Sequence, residues 1–309
     1  MRIVFLGTGA FAVPSLRALV AAGHDVALVI TQPDRPSGRG RAPAAPPVKE
    51  AALELGIELA QPARVREPEP VAAIEKAGAD AGVVVAYGQI LPRSVFAAPR
   101  MGTINVHASL LPRYRGAAPI QWAIASGDDE TGVTTMMVAQ GLDSGPIVLT
   151  ASTPIGDRET AGELSVRLAR MGAELLIASL SGLADGTVIP RPQDDSLATT
   201  APLIRKEDGR IDWSQPAAQI ARRCRAFNPW PATFTPFRGG QLKVLAASED
   251  EPGPGTPGVL TSVGRQGLVV ACGKNTRLRL MEVQPESKRP MPAQAFAAGA
   301  RLATGDALA

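Results

Sequence analysis

The 309 residues suffice for two domains, each with a buried core, and 45% hydrophobic with 20% charged residues is an ordinary globular composition. No apolar run nears the ~20 residues needed to span a bilayer, and Met1-Arg2-Ile3-Val4-Phe5-Leu6-Gly7 reads as a strand entering a turn, not as a secretory or transit leader, so a cytoplasmic location without membrane partners is expected. The formal charge of +3 hides an asymmetry: residues 203–309 carry 15 Lys+Arg against 9 Asp+Glu, net +6, which leaves 17 against 20, net −3, for residues 1–202.

Residues 2–6 form an apolar strand, 7–12 a small-residue turn, and 14–22 a helix with Pro14 in its first turn. Strands follow at 25–31, 81–86, 103–106 and 133–138, with helical stretches between them and a longer helix over 160–183. Val- and Ile-rich strands alternating with helices predict a mostly parallel, doubly wound, Rossmann-like α/β sheet. Residues 33–47 are a long loop of Gly, Pro, Ala and Arg. Residues 185–203, with Pro190, Pro192 and Pro202, read as a connector. A helix over 216–226 and short β-prone runs at 232–237, 242–246, 258–261, 268–271 and 277–283 then suggest a small OB-like β-barrel. The expected division is residues 1–187, a linker over 188–206, and a C-terminal domain over 207–309.

The chemistry concentrates in three places. Alternate strand residues share a face, so Asn105 and His107 project together just before Ser109-Leu110-Leu111-Pro112-Arg113-Tyr114-Arg115-Gly116. Asp143 follows in Gly141-Leu142-Asp143-Ser144-Gly145, a carboxylate held between glycines. An amide donor, an imidazole and a carboxylate are the groups needed to move an acyl unit onto an amine. Singly they have plainer readings: a turn Asn, a satisfied core His, an Asx-turn Asp. The second histidine, His24, reads as a turn residue on the surface. Cys224 and Cys272, far apart, read as small buried apolar groups, and no His or Cys spacing suits a metal site. Gly7-Thr8-Gly9-Ala10-Phe11-Ala12 half-matches a dinucleotide fingerprint, but Ala12 replaces the third glycine and the second strand ends Ile30-Thr31-Gln32 without an acidic residue.

Together, Asn105-Val106-His107, the Ser109–Gly116 motif, Gly127-Asp128-Asp129-Glu130-Thr131-Gly132 and Gly141-Leu142-Asp143 resemble the folate-dependent formyltransferases. Further matches point to the branch that acts on initiator tRNA: the run from Thr31 to Gly40, Val84-Val85-Ala86-Tyr87-Gly88, Ala226-Phe227-Asn228-Pro229-Trp230-Pro231, and the run from Gln284 to Met291. The chain departs from the usual motif in having Tyr114 where Trp is common, and fewer basic residues after Arg39-Gly40.

The resemblance implies formyl transfer from 10-formyltetrahydrofolate to the methionine amine of initiator methionyl-tRNA by a monomer without a metal, with Asn105, His107 and Asp143 catalytic. It places Ser109, Leu110, Leu111 and Pro112, and Tyr87, Gly88, Gln89, Ile90 and Leu91, against the folate. It assigns tRNA contacts to Arg35, Arg39, Arg41, Lys206, Lys243, Lys288 and Arg289. The alternative within the family is a small amine acceptor, an amino sugar or glycinamide ribonucleotide, which explains the basic C-terminal third poorly. A folate hydrolase, a nucleotide-dependent oxidoreductase and a non-catalytic RNA-binding protein are the remaining readings.

Overall fold

Four consecutive buried residues, Ile3, Val4, Phe5 and Leu6, form the middle of the strand Arg2–Gly7, which lies in the interior of a seven-stranded sheet beside its central strand. The computed structural model describes residues 1–37, 42–265 and 267–308. The strand order is Ile147–Pro154, Glu130–Met137, Thr103–His107, Ala81–Val85, Arg2–Gly7, Asp25–Ile30, Leu59–Ala60. Pairing is parallel from Thr103–His107 through to Leu59–Ala60, and Glu130–Met137 joins antiparallel to Thr103–His107. Ala81–Val85 is buried at every position, as a strand covered on both faces must be. The predicted mostly parallel sheet is therefore present. It gains the strand Ile147–Pro154, in which Thr150, Ser152 and Thr153 break up any apolar run.

The chain runs outward through Asp25–Ile30 and Leu59–Ala60, then returns to the other side of Arg2–Gly7 at Ala81–Val85. The carboxyl ends of those two central strands therefore bracket the crevice where open α/β sheets bind ligands. Helices Val13–Ala21, Pro47–Glu54 and Pro68–Lys76 each carry Pro at a first-turn position, where the missing N–H costs no intrahelical bond. Residues 33–47, read as a loop, contain an antiparallel pair, Arg35–Ser37 with Ala42–Ala44.

Contacts divide the chain into two units that do not follow sequence order. The first comprises Met1–Gly116, Thr131–Thr153 and Ser165–Ala201, the second Ala117–Glu130, Pro154–Leu164 and Pro202–Ala309. Up to Ala201 the connector is bonded into the first unit. Arg191 exchanges two backbone hydrogen bonds with Ile147, both 2.8 Å, and Thr200–Ala201 pairs in parallel with Arg115–Gly116.

The second unit holds an antiparallel sheet in the order Thr233–Phe237, Gly240–Asp250, Arg277–Pro285, Gly267–Ala271, Leu260–Gly264, with Met291–Pro292 added on Arg277–Pro285. All five β-prone runs contribute to it. Helix Ala217–Ala226 supplies Ile220 and Cys224 to its core, and helix Ala293–Ala300 supplies Phe296. Cys272 is buried there too. Helix Pro119–Ser126 packs on Ala217–Ala226, with Trp122 edge-on to Phe227 at 6.4 Å and its indole N–H donating to the Pro202 carbonyl at 2.8 Å. Among the described residues no helix is long and apolar enough to cross a membrane.

Candidate active site

Ile104 and Val106 point into the core, so strand alternation turns Asn105 and His107 to the opposite face, at the end of Thr103–His107. Met136 pairs with Asn105 and Thr134 with His107, which locks the register of both. Asp143 reaches them from the turn after Glu130–Met137. Its Oδ1 accepts from Asn105 Nδ2 at 3.4 Å, its Oδ2 accepts from the Gly116 backbone N–H at 2.9 Å, and Oδ2 lies 3.7 Å from His107 Nδ1. Two residues of one strand and a third from a turn 36 residues further on thus meet at one point. His107 is 6% exposed, and the Asp143 side chain 14%, so their mutual field is weakly screened.

The imidazole tautomer follows from its other neighbour. His107 Nε2 lies 2.9 Å from the Tyr114 carbonyl oxygen, which can only accept, so Nε2 carries hydrogen. In the neutral ring Nδ1 then holds the lone pair and faces Asp143.

The Ser109–Gly116 loop is held from below by Thr134, which is fully buried. Its hydroxyl donates to the Ser109 carbonyl at 2.7 Å and accepts from the Leu111 N–H at 3.1 Å. Ser109 Oγ donates to the Arg113 carbonyl at 2.6 Å. Gly116, at φ +130°, passes so close to the connector that a Cβ would lie 2.5 Å from the Ala201 carbonyl oxygen. Arg113 lies over the Tyr114 ring, 5.0 Å from its centroid, so the aromatic face kept at this position is used. Arg115 is tied to Gln193 and Asp195, not loose in solvent.

The two segments expected against folate are placed differently. Leu111 is buried and Leu110 half-buried beside the Asn105 strand end. Tyr87 points into the sheet core among Val4, Leu6 and Ile30, and burial pushes its hydroxyl up to about 12. Its carbonyl accepts from Thr8 Oγ1 at 2.8 Å. Gln89 is engaged with the 63–65 backbone, accepting from the Val65 N–H at 2.9 Å and donating to the Ala63 carbonyl at 3.2 Å. Ile90 is 91% exposed and Leu91 packs on the core edge. Tyr87 and Gly88 line a cavity of about 480 Å³ with Thr8, Gln32, Arg35 and Pro46, at the crevice between the central strands. Neither Ser109–Pro112 nor the Asn105, His107 and Asp143 group lines that cavity. Gln32, where a dinucleotide fold would place an acid, accepts instead from Arg35 at 3.1 Å.

Of the basic residues expected at tRNA, Arg35 is exposed at the cavity wall, while Arg39 and Arg41 lie outside the described residues. Lys206, Lys288 and Arg289 are exposed and Lys243 half-buried in the second unit. Lys243 pairs with Gln284, whose amide donates to the Lys288 carbonyl at 2.8 Å, so Lys243 and the Lys288 turn are neighbours. Phe234 pairs with Lys243 on its other side and bridges to Arg210, giving a row of cation, aromatic, cation. Arg210 was not singled out from sequence, since only the strand pairing places it in that row. Thr134 and Gln193 likewise carry no local signal, because the groups their side chains bond are brought close only by the fold. His24 stands apart, 3.3 Å from the N-terminal amine. Among the described residues no group of three or more His, Cys, Asp or Glu is arranged to hold a metal.

Residues 1–180 match the family model described as formyl transferase, and residues 203–301 the formyl transferase C-terminal domain. A methionyl-tRNA formyltransferase of Solibacter usitatus is 54% identical, over 100% of this chain and 98% of the relative. One from Citrifermentans bemidjiense is 48% identical, over 100% and 96%. Among solved structures, the sugar 3N-formyl transferase WlaRD, with dTDP and 5-N-formyl-THF, superposes with a TM-score of 0.68 at 16% identity over 94% of this chain and 99% of that one. HypX from Aquifex aeolicus, in complex with tetrahydrofolic acid, gives 0.64 at 18%, over 96% of this chain and 47% of HypX. Those two likenesses speak for the fold. The sequence matches, which run the length of both units, establish that the chain belongs to the methionyl-tRNA formyltransferases within the formyl transferase family.

Proposed function

We propose that the protein transfers the formyl group of 10-formyltetrahydrofolate to the α-amino group of methionine esterified to initiator tRNA. The observation that carries this reading is the meeting of Asn105, His107 and Asp143 at one point beside the Ser109–Gly116 loop. The acceptor must be a neutral amine, and an ordinary α-amino group titrates near ~8, so little activation is needed at neutral pH. Its nitrogen attacks the formyl carbon, and the carbonyl electron pair moves to oxygen. Asn105 has two amide hydrogens. One faces Asp143, and the other serves the oxyanion.

His107 Nδ1, the ring atom left with a lone pair, takes the proton shed by the amine, and the Asp143 carboxylate steadies the imidazolium that forms. The oxyanion then collapses, the bond from carbon to the folate nitrogen breaks, and Nδ1 returns the proton to that nitrogen. Atoms and charge balance, and the enzyme ends as it began. Ser109–Pro112, beside the same strand end, supports the folate, with Tyr87–Leu91 contributing through backbone groups.

For the tRNA, Arg35, Arg39 and Arg41 serve the acceptor end. The Lys206, Lys243, Lys288 and Arg289 set, with Arg210, follows backbone phosphates, which carry no sequence information but give affinity. Incubation with 10-formyltetrahydrofolate and charged initiator tRNA should yield formylmethionine at a rate far above that with an amino sugar, glycinamide ribonucleotide or water alone. Comparable turnover of a small amine would overturn the tRNA reading while sparing the chemistry.

A further inference from the structure

Gln193, in the stretch that reads from sequence as a plain connector, touches both loops of the site. Its Nε2 donates to the carbonyl oxygens of Asp143 and Gly145, each at 2.8 Å. Its Oε1 accepts from Arg115 Nε at 3.0 Å and Nη2 at 2.7 Å. Two amide hydrogens and two lone pairs are all engaged, a set no other side chain of this length supplies. A carboxylate could hold the guanidinium but not the carbonyls, and an ammonium the reverse.

The turn it grips needs holding. Asp143 sits at φ +47°, a left-handed conformation that costs a residue with a Cβ some energy even though Asp enters it more readily than most. The Asp143 carboxylate is aimed by the Gly116 N–H, and Gly116 adjoins Arg115. Gln193 therefore closes a loop of bonds: turn backbone to amide, amide to Arg115, and Gly116 back to the Asp143 carboxylate. The segment bearing Gln193 is itself fastened on both sides, by the Arg191 and Ile147 backbone pair and by Thr199, whose hydroxyl accepts from the Tyr114 N–H at 2.8 Å.

We propose that Gln193 is a positioning residue for formyl transfer, acting through Asp143 by fixing the turn that presents its carboxylate. This rests on the reading of Asp143 as catalytic. Gln193→Met keeps most of the volume and loses every hydrogen bond, whereas Gln193→Glu keeps the acceptor for Arg115 and loses both donors. Both should lower kcat about 10- to 100-fold, the scale of a small misplacement of a reacting group. The KM for 10-formyltetrahydrofolate should stay within about twofold, and the thermal midpoint within about 4 °C.

The deciding measurement is the double variant. Placed on Asp143→Asn, Gln193→Met should cost no further activity, because the group it positions is already gone. A multiplied loss in that background, or wild-type kcat in Gln193→Glu, overturns the proposal. Near-normal turnover in Asp143→Asn alone would instead remove Asp143 from the mechanism, and the basis of the proposal with it.

Discussion

Replacing Thr134 by Val tests how the loop beside Asn105 and His107 is held. The substitution keeps a β-branched shape on the Glu130–Met137 strand and removes only the hydroxyl. That hydroxyl is the hydrogen-bond partner of two main-chain groups, the Ser109 carbonyl at 2.7 Å and the Leu111 N–H at 3.1 Å. Thr134 and Ser109 are both fully buried and Leu111 is 6% exposed, so water cannot readily replace it. A buried donor or acceptor left without a partner costs about 1–3 kcal/mol, and two of them about 2–6 kcal/mol, a large part of a typical domain's stability. Thr134→Ser keeps the hydroxyl and loses one methyl group, for about 1 kcal/mol. Urea denaturation measures both losses, and steady-state kinetics should show a raised KM for 10-formyltetrahydrofolate in Thr134→Val only. If Thr134→Val lies within about 1 kcal/mol of wild type with an unchanged KM, the loop is not organised by this hydroxyl.

Asn105→Ala should lower kcat by about 10²–10³ with little change in stability, the usual cost of one oxyanion donor; single-turnover assays on charged tRNA would show it, and a loss confined to KM would move Asn105 out of the mechanism. Alanine at Lys243, Lys288 and Arg289 together should weaken tRNA binding most at low salt and flatten the dependence of log K on log salt by ~0.9 for each duplex phosphate left without its cation; an unchanged slope would count against phosphate binding there. Burial pushes the Cys224 thiol up to about 11 and the Cys272 thiol up to about 12, so neither should react with a thiol reagent at pH 8 until denaturant is added. The same shifts have a sign: the folded state holds these thiols protonated, so their contribution to stability is complete below the ordinary thiol range and is withdrawn as pH rises through 11 to 12, which alkaline denaturation curves of Cys→Ala variants would register.

Much of the architecture is legible because burial on both faces leaves an unbroken apolar run, as in Ala81–Val85, and because Pro14 marks a helix start. Strand direction is not written in hydropathy. Nothing in Glu130–Met137 announces that it runs antiparallel to its neighbour, and in Ile147–Pro154 the apolar run stops after Leu149, with Thr150, Ser152 and Thr153 following. In the site, alternation alone puts Asn105 and His107 on one face, and glycines flag the Asp143 turn. The imidazole tautomer depends on the Tyr114 carbonyl seven residues away, and Gln193 acts 50 residues from the carbonyl it grips. Such pairings arise from tertiary folding, and no local pattern carries them. The Tyr87 side chain shows the converse: an aromatic in a motif stretch that proves to be core.

The second unit has an unusual authorship. Helix Pro119–Ser126, whose Trp122 meets Phe227, is synthesised almost a hundred residues before the helix it packs on. A gene cut between the two family-model segments would deliver Ala217–Ala226 with that apolar flank bare, and the ribosome faces the mirror problem, since Trp122 must wait for its partner to emerge. The boundary drawn along the sequence, after residue 180, and the boundary drawn by packing therefore do not coincide.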